Sequence, residues 1–214
     1  LALSLYFKED YDEVVITLYK VLALDPHNTW ALSLKGDVLS EFAQYEDALE
    51  VLKQAADLDS SDSGIFSTMG WVLENLGAER AAEAKQAYEK VISLKGDELW
   101  AHKGVANALE LLGEAEEAAS RYRCVIQQGE KRDLTGARDK SLIGWCYYKL
   151  GQYENAIRVF KETLSLDPSI YSTQFDLALS QMCHGDYSEA LQNYQKTLGM
   201  ISSKHPLKRR DYYT

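Results

Sequence analysis

Proline, cysteine and methionine occur only three times each in the 214 residues. So little proline, with 46% apolar residues, excludes a proline-rich low-complexity chain and suits a folded helical protein. Cys124, Cys146 and Cys183 stand far apart, with no CxxC spacing. A sparse, odd count excludes a disulfide framework and reads as reduced thiols, so a cytoplasmic location is expected. No apolar run reaches about 18 residues, so no membrane-spanning helix is expected. No signal peptide is recognisable. The chain begins at Leu1 in mid-pattern and is expected to be a piece of a longer protein.

Positive charge is also scarce. Lys and Arg number 23 against 33 Asp and Glu, a formal charge of −10. Nucleic acid is therefore not an expected partner, because phosphate contacts need clustered cations. Residues 1–203 carry 19 basic and 32 acidic side chains, whereas the last eleven residues hold Lys204, Lys208, Arg209 and Arg210 against Asp211. The chain contains no GxGxxG, GxxxxGK[ST], HExxH or GxSxG pattern. His27, His102, His184 and His205 are scattered, and the Cys183–His184 pair has no further ligand set nearby. No catalytic residue, metal site or cofactor is expected.

What is present is repetition. "MGWVLENLG" at Met69–Gly77 returns as "IGWCYYKLG" at Ile143–Gly151, 74 residues on. Gly36, Gly70, Ala106, Gly144 and Ala178 each precede, by seven residues, Ala43, Gly77, Gly113, Gly151 and Gly185. Ala48, Ala84, Ala118, Ala156 and Ala190 follow, each four residues before Leu52, Tyr88, Tyr122, Phe160 or Tyr194. "LDP" closes two repeats, at Leu24–Pro26 and Leu166–Pro168. An N-terminal repeat cut at its first helix keeps Ala2, Leu5, Val14, Leu18 and Pro26.

This pattern resembles the tetratricopeptide repeat family, whose period is about 34 residues. "IGWCYYKLGQYENAIRVFKETLSLDP" carries nearly all of the motif after its first site. The family's first Trp site is not kept: Leu32, Phe66, His102, Lys140 and Gln174 stand there. The resemblance implies a non-enzymatic scaffold or adaptor that binds a peptide or protein in its groove. Some members grip a chaperone's C-terminal carboxylate through Lys and Asn four apart, then an Asn, then Lys and Arg. Lys103 and Asn107 match the first pair, but Trp145, Phe175 and Leu179 replace the rest. That ligand is not expected.

The physics reaches the same architecture. Each repeat carries two apolar stripes separated by a Gly-centred turn, and one helix pair cannot bury its apolar face alone. The expected fold is all-α: a right-handed superhelical solenoid of antiparallel helix pairs. The expected units are a partial repeat at 1–28, full repeats at 29–62, 63–98, 99–136, 137–170 and 171–204, and a further or capping helix at 205–214. Extra residues near "GAERAAEA" and "QQGEKRDLTG" are expected to lengthen helix ends or loops.

Within each first helix, sites four, seven, eight and eleven pack inside the repeat. Sites two, five, nine and twelve lie roughly 130° away and are expected to line the concave groove. All four tryptophans fall on that second stripe: Trp30 and Trp100 at site two, Trp71 and Trp145 at site nine. Asp37, Glu74, Lys103, Asn107, Arg138 and Tyr148 share it. These ten are the candidate partner-binding residues. The tryptophans either pack between neighbouring first helices or contact a partner, and a single ring can do both. The alternative reading makes the chain the repeat portion of a larger enzyme or assembly, with its chemistry elsewhere.

Overall fold

A computed structural model describes residues 11–132 and 136–204. Ala2 and Leu5 of the expected partial repeat, the expected helix at 205–214 and part of the "QQGEKRDLTG" stretch lie outside the described residues. Among the described residues the structure is all-helical: eleven α-helices, one short 3-10 helix and no strand. The helices are α1 (Tyr11–Leu24), α2 (Thr29–Glu41), α3 (Tyr45–Leu58), α4 (Ser63–Asn75), α5 (Ala81–Lys95), α6 (Leu99–Leu111), α7 (Ala115–Lys131), α8 (Ala137–Lys149), α9 (Tyr153–Leu166), α10 (Tyr171–His184) and α11 (Tyr187–Lys204). The chain divides into two compact units, residues 1–121 and 122–214, with the division inside α7.

In the first unit each helix from α1 to α6 packs on the next, and α2, α4 and α6 also touch in sequence. The second unit repeats this with α8 to α11, where α8 meets α10. This is sequential helix-pair packing: a first helix, a tight turn, then a second helix that returns against it. The extra residues near "GAERAAEA" form the 3-10 turn Ala78–Arg80. Of "QQGEKRDLTG", residues 127–131 form the end of α7, which runs 17 residues.

Small residues set the helix spacing. Ala48, Ala84, Ala118, Ala156 and Ala190 are all buried, at most 5% exposed. A Cβ on Gly36 would sit 2.5 Å from Leu52 Cγ, and one on Gly144 2.5 Å from the Phe160 ring. Leu52 and Phe160 are fully buried, each contributing on the order of 1.5–3 kcal/mol. The sequence therefore places its smallest residue where its partner's largest must lie.

Turns within pairs share one geometry except after α4, where the 3-10 turn stands. Gly151 N–H donates to Tyr148 O (2.9 Å) and Gln152 N–H to Tyr147 O (2.9 Å), closing α8. Ala43 and Gln44 close α2 with the matching pair, to Ser40 O and Leu39 O, both 3.0 Å. Gly151 takes φ +70° without penalty, but Ala43 holds φ +55°, where its Cβ crowds the backbone. Between pairs, side chains tie the turn. Asp59 Oδ1 accepts from both N–H and Oγ of Ser61, and Asp167 Oδ1 does the same with Ser169. These bonds hold the Asp59 carboxyl below its ordinary range.

Candidate functional site

The Gly-Trp pair separates two directions one residue apart. Gly70 is buried: a Cβ there would fall 2.8 Å from the Tyr88 ring of its own repeat. Trp71, rotated about 100° further round α4, is 43% exposed. Trp30 is 48% exposed on α2, and Trp100 and Trp145 are partly exposed. Trp71 is braced where it stands. Its indole meets Tyr45 edge-on at 5.8 Å, and its carbonyl accepts from Asn75 Nδ2 at 2.8 Å.

In the first unit, α2, α4 and α6 form an open cleft. Asp37, Glu41, Thr68, Trp71, Trp100 and Lys103 line it, with Tyr88 and Gly104 at its floor. Four of the ten predicted residues thus meet in one place; Trp30 is not part of the lining. Asp37 accepts from Thr68 Oγ1 at 2.6 Å, tying α2 to α4. Burial raises the Asp37 carboxyl pKa. The Thr68 bond opposes that shift, and the negative charges of Glu41 and Asp62 reinforce it.

Glu74 and Asn107 are engaged with each other. Asn107 Nδ2 donates to Glu74 Oε1 at 2.7 Å, and Tyr88 OH donates to Glu74 Oε2 at 3.0 Å. Asn107 is 8% exposed, so site nine of that repeat faces the preceding first helix. Burial, with Glu74 beside it, holds the Tyr88 hydroxyl protonated far above the usual tyrosine range. The Tyr88 ring lies between two glycines. A Cβ on Gly104 would be 2.7 Å from it, much as one on Gly70 would be.

The second unit carries Arg138, Trp145 and Tyr148 on α8. Arg138 is exposed at the start of the helix. Trp145 and Tyr148 stack at 5.1 Å, and Tyr148 continues to Tyr153 at 5.9 Å. Lys149 Nζ sits 5.8 Å from the Trp145 ring centre. Burial and a hydrogen bond with Cys183 raise the Tyr148 pKa. Further along, Phe175, Leu179 and Met182 of α10 join Tyr187, Leu191 and Tyr194 of α11 around an apolar hollow. At the far side of the pair, Tyr147 OH donates to Glu130 Oε1 at 2.7 Å.

Sequence reasoning missed Thr68, Tyr45 and Tyr153, which are the supports of Asp37, Trp71 and Tyr148. Tyr45 and Tyr153 occupy equivalent positions at the starts of α3 and α9, a coincidence the repeat alignment could have shown. The two units also differ in charge. Residues 1–121 hold ten Lys and Arg against 23 Asp and Glu, a formal −13; residues 122–214 hold 13 against ten, +3. Among the described residues no group of three or more His, Cys, Asp or Glu is placed to hold a metal ion. No helix among them is long and apolar enough to cross a membrane.

Consecutive helix pairs with glycine-set spacing, and aromatics on their first-helix faces, define a helical-repeat protein. Residues 140–170 match the tetratricopeptide repeat. The chain is 24% identical over 240 residues to a TPR repeat-containing protein of Methanocaldococcus jannaschii, covering 94% of this chain and 42% of that one. It is 25% identical to DnaJ homolog subfamily C member 3 of Gallus gallus, covering 91% and 41%. The chain therefore spans about two fifths of the length of these curated relatives. The crystal structure of a thermophilic TPR protein from Thermus thermophilus has the same fold, with a TM-score of 0.69, 16% identity and coverage of 85% and 96%. Human IFIT1, solved as a dimer with m7Gppp-AAAA, also shares it, with a TM-score of 0.68, 18% identity and coverage of 90% and 47%.

Proposed function

We propose that this chain is a non-enzymatic scaffold that holds a peptide segment of a protein partner on its first-helix faces, with Trp71 and Trp100 as the main anchors. The observation that carries this is the placement of the tryptophans. A buried, space-limited Gly70 precedes a Trp71 that is 43% exposed yet braced by Tyr45. A braced, exposed indole in a cleft is the form of a binding anchor, because little side-chain entropy remains to be lost on contact. Asp37 and Lys103 supply polar contacts at the same cleft. Trp145, Tyr148 and Arg138 form a second contact face in the other unit. Glu74 and Asn107 act beneath the first cleft, as its support. The repeats 29–62, 63–98, 99–136, 137–170 and 171–204 are the modules that carry these faces.

The likeness to IFIT1 concerns the fold. A polyanion such as m7Gppp-AAAA is a poor match for a first unit of formal charge −13. The share of the relatives that this chain spans favours a second reading, in which the repeats serve a larger assembly whose catalytic segment lies outside them.

The test is selection of a displayed random peptide library on the full 214-residue chain. Binding is then measured with Trp71→Ala and Trp145→Ala variants. Each variant should lose about tenfold or more in affinity while its unfolding midpoint moves by a few degrees at most. Large losses of stability with unchanged affinity per folded molecule would make the tryptophans inter-repeat packing and remove the reading.

A further inference from the structure

We propose that the cleft between α2, α4 and α6 is selective for a cationic side chain, an arginine or lysine of the bound segment, seated between the Trp71 and Trp100 indoles and the carboxylates of Asp37 and Glu41. This rests on the proposed peptide-binding reading and names the chemistry of its central contact.

Three observations support it. The first is the lining itself: two indoles and two carboxylates share one open cleft, with Lys103 the only cation among the described residues of the lining. A guanidinium or ammonium over an indole face is attracted by the ring quadrupole, and more strongly once desolvated. The second is the state of Asp37. Its hydrogen-bond partner is neutral, the Thr68 hydroxyl. The charges it feels most are further negative ones, from Glu41 and Asp62. A carboxylate held out of water beside like charges gains from an incoming cation what an exposed one would not. The third is the field. The unit carrying this cleft has a formal charge of −13, which raises the local concentration of cationic segments and speeds their arrival.

The same geometry discriminates against the alternatives. An acidic side chain would meet Asp37 and Glu41. An aliphatic one would contact the indoles but bury Asp37 further with no counter-charge. Arginine fits best, because its planar fork can stack on an indole and bond a carboxylate at once.

The experiment is an NMR titration of the full 214-residue chain. The probes are acetyl-Ala-Ala-X-Ala-Ala-amide peptides with X as arginine, lysine, norleucine or glutamate. The readout is the indole N–H signals of Trp71 and Trp100. The arginine and lysine peptides should shift both signals, arginine at lower concentration; norleucine and glutamate should not. Asp37→Asn and Glu41→Gln should each weaken the arginine peptide by roughly fivefold or more, and added salt should weaken it further. Asp37→Asn should not lower the unfolding midpoint, since an Asn Oδ1 can still accept from Thr68. If the norleucine peptide shifts the indoles as strongly as arginine does, cation selectivity is overturned and the peptide-binding reading stands. If no peptide of any class moves either indole, both fall.

Discussion

The second and fourth full repeats solve the same packing problem with different chemistry. In the fourth, Phe160 fills the space over Gly144, fully buried and purely apolar. In the second, Tyr88 fills the space over Gly70, and its hydroxyl must find a partner. Everything nearby follows from that one oxygen. Site twelve of the first helix is Glu74, which accepts from Tyr88, where the fourth repeat has Tyr148, which stacks on Trp145. Site nine of the following repeat is Asn107, bonded to Glu74, where the other unit has Leu179. A single hydroxyl thus travels with a polar trio, and its absence with an aromatic and aliphatic set. The shared register is fixed by helix spacing, so the sites that vary are those on the exposed stripe. There the units differ, with Asp37 and Glu74 on the stripe of the first and Tyr148 and Leu179 on that of the second.

The strongest way to break the comparison is to empty its common site. Phe160→Ala should cost about 3–5 kcal/mol, read as a fall in the denaturation midpoint. Next comes the polar trio: Glu74→Leu removes the acceptor shared by the Asn107 amide and the Tyr88 hydroxyl and should cost roughly 2–3 kcal/mol in the same assay. Tyr88→Phe, which imports the fourth repeat's solution, removes one donor but keeps the ring. It should cost about 1 kcal/mol, and clearly less when Glu74 is already Leu. Ala43→Gly sharpens the comparison of turns by giving α2 the residue that closes α8. It should stabilise by up to about 1 kcal/mol, and any destabilisation would contradict the strained φ of Ala43.

The smallest effect concerns Asp37. Its folded pKa lies above its unfolded value. The folded state therefore holds its proton more tightly. Stability from this group is greatest below the unfolded pKa, near 3.8, and falls as pH rises through the folded value. Asp37→Asn should remove that loss, so its midpoint should exceed the parent's at about pH 7 and match it at about pH 3. A parent that gains stability between about pH 3 and pH 6 only when Asp37 is present would reverse the sign and refute this.

The fold was readable because helix spacing leaves a periodic trace. Gly36, Gly70 and Gly144 stand seven residues before a turn residue, and an Ala follows each a few residues beyond it. That Trp71 turns away from the direction of Gly70 was readable for the same reason, since neighbouring residues step by about 100°. Three things gained meaning only in the structure. Asn107 lies 33 residues from Glu74, and sequence distance within one stripe does not say which members bond to each other rather than face solvent. The braces on Trp71 and Tyr148 come from second helices, outside the stripe altogether. The confinement of negative charge to residues 1–121 was visible in the letters, but mattered only once the chain divided at 121.

The Tyr88 ring, caught between Gly70 and Gly104, works as a shim. Its thickness fixes the gap between α4 and α6, and its hydroxyl bond stops it from sliding out. The two helices that carry Trp71 and Trp100 therefore take the spacing that this ring sets. A shim of one thickness sets one width, so a segment bound as proposed would meet walls already at their working separation.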